Sequence, residues 1–99
     1  MRYASLWMDG LDERLLEYLH EHDLAGPNEV ARALRQPIST LRVQERMRVL
    51  SQAEYVAPFD TDYDLYELTS LGRGYLEGDV RADLLVPVPS ARRSGHVLG

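Results

Sequence analysis

Ninety-nine residues supply one modest hydrophobic core and little for a second, so any function has to sit on a single small scaffold. The chain has no cysteine, which excludes disulfide bracing, thiolate catalysis and cysteine-ligated zinc or iron-sulfur chemistry. The formal charge of −5 is uneven: Gly26 to Gln52 holds Arg32, Arg35, Arg42, Arg46 and Arg48 against Glu29 and Glu45, a net of +3, and the remainder carries −8.

No stretch approaches the roughly 18 apolar residues that span a bilayer, and Met1 to Met8 does not read as an export signal, so a soluble cytoplasmic protein is expected. From Leu11 onward, Leu15, Leu19, Tyr18 and His22 recur at three- and four-residue steps, predicting an amphipathic first helix. Asp9 is its expected N-cap, and Asp12 and Glu13 suit the positive end of the helix dipole. Gly26-Pro27 interrupts the pattern, and Pro27 at a first helical position opens a short second helix to about Leu34 that buries Val30, Ala33 and Leu34. Pro37 closes it.

Ser39 or Thr40 can cap a third helix to about Gln52, with Val43, Met47 and Leu50 on one side and Leu41, Arg42, Glu45, Arg48 and Val49 directed away. Residues Glu54 to Ala57 and Asp64 to Leu68 alternate polar and apolar positions, predicting a hairpin around the turn-rich Pro58 to Tyr63. Thr69 caps an expected fourth helix, Ser70 to Glu77, with Leu71, Tyr75 and Leu76 for the core. Residues 1–80 are read as one domain and 81–99, which hold Pro87, Pro89, Gly95 and Gly99, as a mobile tail.

Two short helices joined by a tight turn, the second lined with arginine, have the shape of a helix-turn-helix reader, and a helix is the element that fits the major groove. With the hairpin following, the expected fold is α+β, mainly α: a winged helix-turn-helix. The candidate DNA-binding residues are Arg32, Arg35, Ser39, Thr40, Arg42, Gln44, Glu45, Arg46 and Arg48. Arg42 and Arg46 suit guanine edges or phosphates, Gln44 adenine and Glu45 a cytosine amino group, whereas Arg32 and Arg35 suit phosphates. Leu41 suits a thymine methyl or packing on the second helix. The bland alternative is a solvated face, with Glu45 paired to Arg42 and Arg48 at three-residue steps.

Trp7-Met8, the run Asp12 to His22, the helix from Ser39 to Leu50, and Leu68-Thr69-Ser70-Leu71-Gly72-Arg73-Gly74-Tyr75-Leu76-Glu77-Gly78 together resemble a known family. These are the small haloarchaeal winged-helix DNA-binding proteins similar to the repressor of the halophage phi-H. Over residues 7–80 the resemblance implies a winged-helix fold, sequence-specific binding of double-stranded DNA, and a homodimer. A salt-adapted host agrees with a chain whose eleven basic residues are all arginine. The sequence departs from the family's pattern at Pro37-Ile38, before the third helix, and at Glu45, where a basic residue is common. Asp60, Asp62 and Asp64 crowd the wing, where carboxylates repel phosphate, so this wing is not expected to grip a duplex in the ordinary way.

Other features read more plainly. His20 and His22 diverge by about 200 degrees on a helix and do not converge on a metal. Glu13 and Glu17 lie on a solvent side without the enclosure that acid catalysis needs. Gly72 and Gly74 follow no strand and suit close helix packing rather than a phosphate loop. No enzyme activity, cofactor, metal or small-molecule substrate is expected. Tyr55, Phe59, Tyr63 and Tyr66 around the hairpin, and Tyr3, Leu6 and Trp7 ahead of the first helix, suit the core or an interface. The rival reading is a winged helix that binds protein through its aromatic hairpin and acidic wing.

Overall fold

A computed structural model describes Arg2 and residues 7–34, 38–60 and 62–79. The expected tail at 81–99 lies outside these residues, as do Tyr3, Leu6, Arg35 and Pro37. Helix α1 (Gly10–His22) starts in a reciprocal capping box. The Asp9 carboxylate accepts the Leu11 N–H at 2.8 Å, and Asp12 reaches back to accept the Asp9 N–H at 3.0 Å. Leu11, Leu15, Leu16 and Leu19 are buried. His22, expected on the same stripe, is exposed; its ring stacks on Tyr18 with centroids 3.9 Å apart.

Strand β1 (Leu24–Ala25) follows; the sequence pattern gives no sign of it, because two residues carry no periodicity. Helix α2 (Pro27–Ala33) begins with Pro27 and buries Pro27 and Val30. Ala33 is exposed, which corrects its expected burial, whereas Leu34 is half-buried against the core: the helix is seven residues long and turns only one narrow stripe inward. Helix α3 (Thr40–Gln52) is capped by Ser39, whose Oγ accepts the Arg42 N–H at 3.1 Å. Thr40 instead donates its hydroxyl to Asn28 Oδ1 at 2.9 Å, tying the starts of α2 and α3 together.

Strands β2 (Val56–Asp60) and β3 (Leu65–Leu68) form the hairpin, shifted along the chain from the expected strand at Glu54 to Ala57. Tyr55 precedes the strand and is buried, its N–H bonded to the Leu50 carbonyl at 2.9 Å. Part of the stretch read as turn is therefore strand, and Pro58 is tolerated there because β2 lies at the edge of a β1-β3-β2 antiparallel sheet. The register jumps between Pro58 and Asp60, leaving Phe59 as a bulge. Helix α4 (Ser70–Leu76) is capped by Thr69 as expected.

One core joins these elements. Leu15, Leu16 and Leu19 of α1 share it with Val30 of α2, Val43, Met47 and Leu50 of α3, and Tyr75 of α4. Tyr55 lies between Trp7 and Tyr75, with ring centroids 5.9 and 5.6 Å away. Gly72 makes the last joint possible, since a Cβ there would lie 2.2 Å from the Tyr55 carbonyl oxygen. Each fully buried large apolar side chain stabilises such a core by about 1.5–3 kcal/mol. Three helices with a sheet whose β2–β3 hairpin follows α3 make a winged helix-turn-helix, α+β and mainly helical.

Candidate nucleic-acid interface

Because Val43, Met47 and Leu50 face inward, the opposite side of α3 is open. Leu41 is 67% exposed, and Arg42, Glu45 and Arg48 are exposed beside it. Gln44 and Val49 are half-buried at the margins, Ser39 is exposed at the cap, and Arg32 is exposed near the end of α2. Arg35 lies outside the described residues. The helix therefore presents Leu41, Arg42, Glu45 and Arg48, a face mixed in charge rather than uniformly basic.

Arg46 departs from the sequence-based expectation that it projects outward with Arg42. Its Nε donates to Asp12 Oδ1 at 2.8 Å and its Nη2 to Asp12 Oδ2 at 2.6 Å, while Nη2 also reaches the Trp7 carbonyl at 3.0 Å. The Arg46 side chain is 15% exposed and that of Asp12 not at all. Hydrogen bonding to Asp12 raises the Arg46 pKa further above its ordinary value, so the guanidinium stays charged and occupied. The physical reason for the correction is the reach of arginine. Its Cβ leaves α3 at the margin, and a buried carboxylate on α1 draws the head group into the α1–α3 seam.

Arg42, one turn earlier, is more open at 47% side-chain exposure and pairs with Asp9. The expected alternative, Glu45 pairing with Arg42, is thus replaced by an ion pair to the α1 cap. Arg48 stands toward the hairpin. Burial, then Asp64, raises the Tyr66 pKa, and the positive charge of Arg48 works against that rise.

The wing carries different chemistry. Asp62 and Asp64 are exposed, Asp60 is half-buried, and Asp60 Oδ1 accepts the Asp62 N–H at 2.9 Å. Asp64 holds a left-handed backbone at φ 54°, which a short carboxylate side chain tolerates. Phe59 and Tyr63 are 57% and 75% exposed, whereas Tyr55 and Tyr66 pack inward. The hairpin aromatics thus split between core and surface.

On the far side, Arg2 bridges Glu13 and Glu17 at 2.9 and 2.7 Å, and the Tyr75 hydroxyl donates to Glu13 at 3.1 Å. That acid pair is engaged by a cation. Among the described residues no group of three His, Asp or Glu side chains could hold a metal ion, and no helix is long and apolar enough to cross a membrane.

Sequence reasoning missed Asp9 and Asp12 as partners of α3. The spacing Asp9-x-x-Asp12 identifies the capping box, but nothing local indicates which distant cation a capped carboxylate will also hold.

No protein-family model and no curated protein matches the sequence. Among solved structures, the chain is similar to the crystal structure of the PhiH1 repressor-like protein from Haloarcula marismortui, with a TM-score of 0.80 and 28% sequence identity. The match covers 89% of this chain and 98% of that chain, so the two share their architecture over nearly their whole length: this chain has the fold of a repressor-like haloarchaeal protein.

Proposed function

We propose that the chain is a sequence-specific double-stranded DNA-binding transcriptional regulator of the repressor type, acting in the cytoplasm of a salt-adapted host and without enzymatic activity. The observation that carries this reading is the open face of α3, which offers Leu41, Arg42, Glu45 and Arg48 on a helix anchored by Val43, Met47 and Leu50. Similarity to the repressor-like protein of Haloarcula marismortui supports it. A helix so fixed loses little entropy when it enters a major groove. Arg42 serves guanine or phosphate, Gln44 and Glu45 the neighbouring base edges, Leu41 a thymine methyl, and Arg32, Arg35, Ser39 and Thr40 the flanking backbone. Arg46 acts from behind, holding the helix. Binding as a homodimer sets two α3 helices about one turn of DNA apart, on an inverted repeat.

Enrichment of a random-sequence duplex pool by the full chain, followed by polarisation titration of the enriched site, tests this. Replacing Arg42 and Arg48 by Ala is expected to erase the preference for the enriched site; failure of the wild-type chain to enrich any sequence would overturn the reading. The exposure of Phe59 and Tyr63 beside the wing carboxylates favours a second reading, a protein-binding module, which the same null result would promote.

A further inference from the structure

Arg42 lies on the exposed face of α3, yet its guanidinium is already held by Asp9. Asp9 belongs to α1. One carboxylate oxygen caps that helix by accepting the Leu11 N–H at 2.8 Å, and the other receives Arg42 Nη2. The partner in the capping box, Asp12, takes Arg46 through both carboxylate oxygens, one of which also accepts the Asp9 N–H. Two arginines one turn apart on α3 therefore hook onto one turn of α1, at different depths. In the Arg46 pair the side chains are 15% and 0% exposed; in the Arg42 pair they are 47% and 32% exposed. Water and salt screen an open pair and leave it weak, so Arg42 can exchange partners. Arg46 cannot, because leaving Asp12 strands a buried charge.

We propose that Asp9 is an intramolecular competitor of the nucleic acid: it holds Arg42 against the domain in the free protein, and a phosphate or guanine acceptor engages Arg42 only by displacing it. This rests on the duplex-binding reading and adds an acidic residue, outside the reading helix, that sets affinity. Displacement costs the free domain its ion pair and leaves the Asp9 carboxylate facing an anionic ligand. Both effects weaken binding, and both vanish when the carboxylate becomes an amide.

The test is Asp9→Asn, because asparagine caps a helix as well as aspartate does and α1 is retained. Its thermal midpoint is expected to fall by no more than the few degrees that one exposed ion pair supplies. Polarisation titrations use the full chain and a fluorescein-labelled duplex carrying the site that the wild type enriches. Asp9→Asn is expected to bind about three- to fivefold more tightly, the range an exposed ion pair supplies. Glu21→Gln makes the same charge change at an exposed position of α1 and is expected to have a smaller effect. In an Arg42→Ala background, Asp9→Asn is expected to give a smaller gain than in the wild type, because only the repulsion between the carboxylate and the anionic ligand is left to remove. Equal effects of Asp9→Asn and Glu21→Gln, or a gain undiminished by Arg42→Ala, would overturn the proposal while leaving duplex binding intact. A wild-type chain that enriches no duplex would instead remove both readings together.

Discussion

Helix α3 and the wing, two candidate functional surfaces among the described residues, are built on different principles. The helix is anchored by an apolar stripe and by the Arg46–Asp12 pair, whose carboxylate is fully buried, so its outer side chains stand on a fixed base. The wing depends on a short antiparallel register with a bulge at Phe59, and it exposes carboxylates with two aromatic rings. A buried, hydrogen-bonded anion can orient an element, whereas exposed anions act through their field. The buried Asp12 therefore contributes geometry, and the exposed acids of the wing contribute a negative field.

The largest expected effect comes from breaking the anchoring of α3. Arg46→Ala leaves Asp12 buried without its cation and is expected to cost about 3–5 kcal/mol in chemical denaturation, as loss of one partner from a buried pair does. A cost below about 1 kcal/mol would mean that the seam does not orient the helix. Next comes Gly72→Ala, which drives a methyl group against the Tyr55 carbonyl oxygen, backbone that cannot rotate aside. We expect a loss of about 1–3 kcal/mol at an unchanged denaturant slope.

The wing is expected to behave in the opposite way. Converting Asp60, Asp62 and Asp64 to Asn keeps the turn acceptors while removing three charges. Stability is expected to hold within about 0.5 kcal/mol. Affinity for any duplex is expected to rise by about 1 kcal/mol in low salt, with the gain fading as ionic strength grows. An unchanged affinity would place the wing beyond the field of the duplex.

The smallest effect at neutral pH concerns Tyr75. Burial raises its pKa above the ordinary tyrosine value, and Glu13 adds to the rise. The folded state therefore keeps this proton where the unfolded chain loses it. The resulting stability is complete below a pH of about 10 and declines as the pH rises toward the folded pKa. Tyr75→Phe is expected to flatten the alkaline loss of stability, measured by denaturation at a series of pH values.

Much of the scaffold is legible in the amino-acid sequence. Leucines at three- and four-residue steps, Asp9, Ser39 and Thr69 at helix starts, and Pro27 at a first turn each act within one or two turns of chain. Local hydrogen bonds and periodic burial are enough to locate α1, α3 and α4. Less legible were β1, whose two residues become a strand only by pairing with Glu67 and Tyr66, and the true start of β2, which moves because Tyr55 is drawn into the core between Trp7 and Tyr75. The site was legible only in part. Outward projection of Arg42, Glu45 and Arg48 follows from the helical period, whereas the inward turn of Arg46 does not.

What the amino-acid order determined by itself was the set of helices, their caps, and the apolar stripe that turns one side of α3 inward, because these depend on neighbours within a few residues. What only the tertiary structure decided was the fate of the long side chains. Arginine reaches far enough from its helix that its position depends on which carboxylate the fold brings alongside. Asp9 and Asp12, some thirty residues away, divide Arg42 and Arg46 into one exchangeable cation and one buried fastening.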